Sequence, residues 1–351
     1  MGFSPRTFAT LAVAPFFLAS TAAAGDVCTQ SNDNATVEGG VLIHCSNMGI
    51  STENQYLRRY SPGVDCGAGG DFFVTGANYA VEVAASVTGS QSIFVRAYSI
   101  PSGDVLAYAN LTLLADVEDV IADEALTLRS VTFPTVVVVP AGSDLVLEVA
   151  KLTDLTAGDT FIPGGNSLGE TGASFIAATS CGLADPAPLG AIGFPNANLI
   201  LDAVFQSSVG DAVCGPNEAN STGVPATIAG IGSGVAADND LTLLVNSLPD
   251  MSNGYFITSQ ALQTVMNPGG SMGFLCIASF TTGRYADSVL TAGPAGQVSL
   301  GLDLTNTPLQ PGGPVSIGAG ETWYWQYWYR DTDMAGMPTS NWSDALCVVF
   351  Q

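Results

Sequence analysis

Apolar and polar residues alternate with a period of two along most of this chain, the spacing of strands buried on one face. Within 92–99, Ile93, Val95 and Ala97 point one way and Phe94, Arg96 and Tyr98 the other. The same pattern predicts strands over 39–43, 55–60, 71–74, 78–85, 105–114, 128–139, 144–151, 160–163, 174–177 and 198–205. After a polar, turn-rich stretch it resumes over 226–232, 240–247, 254–259, 273–279, 297–304, 314–317, 321–330 and 344–351. Between Asp116 and Leu126 the alternation fails. There Val117, Val120, Ile121 and Ala125 have helical spacing, while the acids suit an exposed loop. Turns recurring about every 8–12 residues, with no longer internal repeat, indicate β-sandwiches or jelly rolls, not βα units or a propeller.

The largest side chains are concentrated in one of these strands. Residues 320–333 hold Trp323, Trp325 and Trp328 of the four tryptophans, and Trp342 follows a short turn later. On one face lie Trp323, Trp325, Tyr327 and Tyr329, which suit a core. On the other lie Tyr324, Gln326, Trp328 and Arg330, where rings stand beside an amide and a guanidinium. These four are the candidate ligand-binding residues, because flat rings stack on the apolar faces of sugars while amide and guanidinium groups bind hydroxyls. The competing reading buries this face under a neighbouring sheet, domain or subunit and pairs Arg330 with Asp331 or Asp333.

Residues 1–24 read as a secretory signal. Arg6 is the positive end, Phe8 to Ala19 an apolar run broken by Pro15, and Ala22 to Ala24 a small-residue cleavage site before Gly25. No later stretch has the ~18 apolar residues of a membrane span, so the expected product is secreted or on the cell surface, without membrane insertion. The rest is long for one core. It divides into a jelly-roll-like β-sandwich over 25–206, a linker over 207–222 and an Ig-like β-sandwich over 223–351, giving an all-β chain of two sandwiches in tandem. With 31 acidic residues against 8 basic ones, and Lys151 the sole lysine, the chain lacks the cationic surface that nucleic acid or an anionic membrane needs.

Seven cysteines follow an export signal without any C-x-x-C spacing, which points to structural disulfides. In the first half Cys45–Cys181 and Cys28–Cys66 are the preferred pairs, the former tying the opening strand to the closing segment. The odd count leaves at least one thiol outside an internal bridge.

Several stretches resemble a group of exported bacterial proteins that carry β-sandwich modules and have no assigned activity. The resemblance lies in Cys45 followed by Asn54, Tyr56 and Arg59, in 136–149, in Ser180-Cys181-Gly182 and in 191–195. In the second half it lies in 220–226, 267–271, Gly283-Arg284-Tyr285 and Trp323-x-x-Gln326-x-Trp328 through Asp331. It implies a surface or secreted β-sandwich protein, with Cys214–Cys276 as a pair and Cys347 as an extra, free cysteine.

Catalytic signatures are lacking. His44 is the only histidine, it adjoins Cys45 at the end of an apolar run, and neither H-E-x-x-H nor G-x-S-x-G occurs. Thirty-one acids make chance carboxylate pairs common, and nothing singles out two of them for glycoside hydrolysis. No cofactor is expected. Calcium is the ion that Asp238 and Asp240, Asp331 and Asp333, or Asp116, Glu118 and Asp119 would suit, although none has EF-hand spacing. The sequence therefore points to a non-catalytic module that binds extracellular polysaccharide or other surface proteins. An envelope or matrix component assembling through its sandwiches is the alternative, and a polysaccharide-active hydrolase the third reading.

Overall fold

The computed structural model describes residues 25–47, 50–51, 53–152 and 159–351, so the signal reading of 1–24 lies outside the described residues. The chain is nearly all β, with a single four-residue α-helix, Pro62–Asp65, and short 3-10 turns among the described residues. Three disulfides, Cys28–Cys66, Cys45–Cys181 and Cys214–Cys276, fasten it, and Cys347 is free. Such bridges are typical of extracellular proteins. No helix among the described residues is long and apolar enough to cross a membrane.

In the first half, Phe72–Ala85 is flanked by Glu124–Val139 on one side and by Leu201–Gln206 and Thr160–Pro163 on the other, with Asp26–Cys28 beyond Leu201–Gln206. A six-stranded sheet, Leu183–Pro188, Ser174–Ala178, Asn54–Tyr60, Ser143–Lys151, Ser90–Pro101 and Thr112–Ala122, shares one apolar core with it. The core takes Val74, Tyr79 and Val81 from the first sheet and Tyr56, Ile93, Val95 and Leu147 from the second, as the alternation requires.

The second half repeats the layering. Ser208–Val209, Thr227–Gly232, Leu241–Asn246 and Val298–Leu302 form one sheet. Asp211–Val213, Pro338–Val349, Thr322–Thr332 and Asn253–Ser259 form the other, and Gly283–Arg284 and Leu290–Thr291 pair with the last of these. Their shared core is dominated by the aromatic strand.

Several elements differ from the sequence reading for identifiable reasons. Residues 39–43 are irregular, and Asp26–Cys28 opens the sheet instead. Strands read separately over 71–74 and 78–85 are one strand, and a Cβ at Gly76 would meet Val131 O at 2.3 Å, so only glycine admits the neighbouring strand so closely. The 116–126 region is neither helix nor loop. It joins strands Thr112–Ala122 and Glu124–Val139, and its acids find partners across them: Arg129 makes two 2.9 Å bonds to Asp119, whose carboxylate also accepts from Tyr79 Oη at 2.7 Å. The expected linker 207–222 is built into the second half. It contributes two short strands, half of a disulfide and the buried Asn217, whose Nδ2 donates to Phe274 O and Ser343 O at 2.9 and 2.8 Å. A hairpin of Leu262–Met266 and Phe274–Ile277 lies on this half, its first strand unforeseen.

Candidate functional site

Strand Thr322–Thr332 lies between Asn253–Ser259 and Pro338–Val349. Its β-branched and aromatic content suits a central strand, and Gly254 opposite it allows the approach, since a Cβ there would meet Trp328 O at 2.3 Å. Trp323, Trp325, Tyr327 and Tyr329 are fully buried. They stack along the strand in pairs, 6.3 Å for the tryptophans and 6.2 Å for the tyrosines, with Phe256 4.7 Å from Tyr327. Each such side chain contributes roughly 1.5–3 kcal/mol by burial.

The opposite face is not the open platform that alternation alone suggests. The hairpin Leu262–Met266/Phe274–Ile277, pinned by Cys214–Cys276, packs over its middle through Leu275, Cys276 and Ile277. Gln326 is consequently buried and saturated. Its Oε1 accepts from Cys276 N, and its Nε2 donates to Phe274 O and Ser343 O, each at 2.8 Å. An amide with all its bonds made inside the protein holds the hairpin down and has nothing to offer a ligand, which corrects its place in the candidate set. Tyr324 is half-buried, and burial first and then the neighbouring Cys347 raise its phenol pKa.

Trp328 and Arg330 mark what remains accessible. A register shift between Gln326 and Trp328 sets Trp328 opposite Trp342, and on its other side it pairs with Tyr255, so three aromatics span adjacent strands. The Tyr255 and Trp328 ring centroids are 5.1 Å apart and tilted by 46°. Arg330, exposed at the strand end, lays its guanidinium 4.9 Å above the Trp328 ring. The local pairing with Asp331 or Asp333 does not form. Asp331 turns inward to accept from Ser221 N at 3.2 Å, and Asp333 accepts from Ala335 N and Met337 N, both at 2.9 Å, in the following turn. Among the described residues the ion pairs use Arg58, Arg59, Arg96 and Arg129, and Arg330 has no carboxylate in reach.

The calcium candidates are dispersed. Asp238 accepts from Ser233 Oγ at 2.5 Å, Asp116 and Asp119 are paired with Arg96 and Arg129, and Glu118 accepts from Ser92 Oγ at 2.5 Å. No group of three or more His, Cys, Asp or Glu among the described residues is placed to hold a metal. His44 is half-buried in an irregular segment beside the Cys45–Cys181 bridge.

Two titratable groups stand out that sequence reasoning did not single out. Glu148 is fully buried and takes Arg96 Nη1 at 3.0 Å, Tyr98 Oη at 3.3 Å and Tyr108 Oη at 2.8 Å. Burial pushes its pKa up against those bonds, which pull it down. Asp344, on the strand beside the aromatic one, is buried and accepts from Ile228 N at 2.7 Å, and burial pushes it up to about 6. Tyr255 was also missed. Its own alternation with Ile257 was readable, but strand pairing alone puts it beside Trp328. Comparison with known proteins gives no match, either to a family model or to a curated protein.

Proposed function

We propose that the chain is an exported, non-catalytic protein of two tandem β-sandwich domains, residues 25–206 and 207–351, that binds extracellular glycan where Tyr255, Trp328 and Arg330 meet. The observation that carries this reading is the Arg330–Trp328 stack, with the ring centroid 4.9 Å below an arginine that no carboxylate occupies. In a chain with 31 acidic residues, an arginine held on a ring and left unpaired keeps its fork of donors for an external partner. Its planar N–H groups match adjacent sugar hydroxyls or a sugar carboxylate, and the edges of Trp328 and Tyr255 supply apolar contact for ring CH groups. The export signal and three disulfides support the location.

The test is retention on immobilised polysaccharides. Arg330→Ala and Trp328→Ala each lower retention at least tenfold, and Arg330→Lys falls between, because it keeps the charge and loses the planar fork. Arg330 is exposed, so its alanine variant keeps the wild-type unfolding midpoint. Unchanged retention by Arg330→Ala and Trp328→Ala would refute the site.

A further inference from the structure

The two halves meet along a short apolar seam. Phe73 of the first packs with Ile231 and Leu244 of the second, flanked by Val136, Val138 and Ala229. Gln297 fixes the seam by donating from Nε2 to Val136 O and Asn246 Oδ1, both at 2.9 Å. Ser207 alone separates strand Leu201–Gln206 from Ser208–Val209, and its carbonyl accepts from Gly232 N at 3.2 Å. The connection is a nearly continuous strand held at both ends, so the halves keep their relative placement without a hinge to order.

Beside the seam, strand Glu124–Val139 arches out of its ladder. Thr132 pairs with Gly76 and Val137 with Val74, so Phe133, Pro134, Thr135 and Val136 stand opposite a single residue. Pro134 cannot donate to the ladder, which is why the bulge falls there. Between this arch and the sheet of the second half lies a cavity of ≈ 780 Å³, within the range of roughly 300–1,000 Å³ for small-molecule sites. Thr75, Asn78, Ser130 and Thr132 line it from one half, Thr242 and Ser299 from the other. Val131 and Ile231 add apolar surface, and Asp240 is the one charged residue on the wall. Asn78 Oδ1 accepts from Ser130 Oγ at 2.6 Å, and among the described contacts its Nδ2 has no partner.

We infer that this cavity is a binding site for a neutral, hydroxyl-rich ligand of oligosaccharide size, held across both halves of the chain. Asp240 is the one charged side chain on the wall, and cleavage before Gly25 sets a single α-ammonium against it, so no net positive charge is left to hold a phosphate or carboxylate and a charged sugar or nucleotide is disfavoured. Hydroxyl and amide groups beside aliphatic side chains match a pyranose, which presents hydroxyls at its rim and CH groups on its faces. The fixed seam supplies the site already formed, so binding loses little to ordering. The site is separate from the Arg330 corner, sharing none of Tyr255, Trp328 and Arg330.

The experiment is calorimetric titration of the full chain with neutral gluco-, manno-, galacto- and xylo-tetrasaccharides. At least one of them binds wild type. Thr242→Trp, which fills the cavity from a strand position, weakens that binding at least tenfold; Asn78→Ala weakens it severalfold, and Arg330→Ala leaves it unchanged. Ser299→Trp, at an exposed wall position, repeats the blocking test if Thr242→Trp fails to fold. No binding by wild type at millimolar ligand overturns the inference. So does undiminished binding by a folded blocking variant. Loss in Arg330→Ala with retention in both tryptophan variants overturns the cavity and leaves the corner site standing.

Discussion

Asp344 gives a test that reaches into the packing of the aromatic half. The strand Pro338–Val349 carries an extra residue opposite Tyr327, so that Ser343 and Asp344 face one residue of the partner. This bulge lets Ser343 Oγ accept from Tyr327 N at 3.0 Å and turns Asp344 toward Ile228 N in the facing sheet. Burial raises the Asp344 pKa from 3.8 to about 6. The folded chain therefore holds a proton that the unfolded chain releases between these limits. The stability this contributes is complete below the unfolded value and is lost as pH rises through about 6. The rise from 3.8 to about 6 corresponds to about 3 kcal/mol, and at 8 % exposure solvent screening is slight. Asp344→Asn keeps an oxygen for Ile228 N and removes the charge. By urea unfolding it is more stable than wild type by about 3 kcal/mol at pH 8, and the gap shrinks to under about 0.5 kcal/mol near pH 3.5. A gap that does not change with pH would refute the argument, because a packing effect of the amide would be constant.

Other outcomes follow from the same contacts. Gln326→Leu leaves Cys276 N without its acceptor, while Asn217 still serves Phe274 O and Ser343 O, so the loss by urea unfolding is about 1–3 kcal/mol; a change under about 0.5 kcal/mol would mean the amide is not the clamp described. Replacing both Cys45 and Cys181 by serine opens a link spanning 136 residues, and the chain-entropy account gives a loss of about 5 kcal/mol in chemical unfolding. Arg129→Met removes the bidentate partner of Asp119 under Tyr79 Oη; it lowers the unfolding midpoint at pH 7, and Asp119→Asn in the same chain restores part of the loss if the stranded charge is the cause.

Much of the architecture is written in the period-two pattern, because a strand with one buried face must alternate. Thr160–Pro163 and the buried set Trp323, Trp325, Tyr327 and Tyr329 follow from it directly. The pattern misleads where a contact distant in sequence changes what is favourable. The acids of 116–126 read as loop until Arg129 and Tyr79 are placed against Asp119. Residues 207–222 read as linker until Asn217 and Cys214 are seen engaged with the hairpin and the last strand.

The candidate site divides along the same line. That Tyr324, Gln326, Trp328 and Arg330 share a face is a property of strand geometry and is legible in the sequence. Which of them meets solvent is not, because nothing local says that a hairpin whose Cys276 lies 50 residues earlier will cover Gln326 and leave Arg330 bare. The junction cavity is further still from any local signal. Thr75, Ser130 and Thr242 are ordinary strand residues until strand pairing and the Phe73–Ile231–Leu244 seam bring them to one wall. The sequence by itself determined the β-class and the identity of the aromatic core strand, through side-chain alternation. Tertiary structure decided what covers that strand and what it leaves open, since exposure depends on packing between elements distant in the chain.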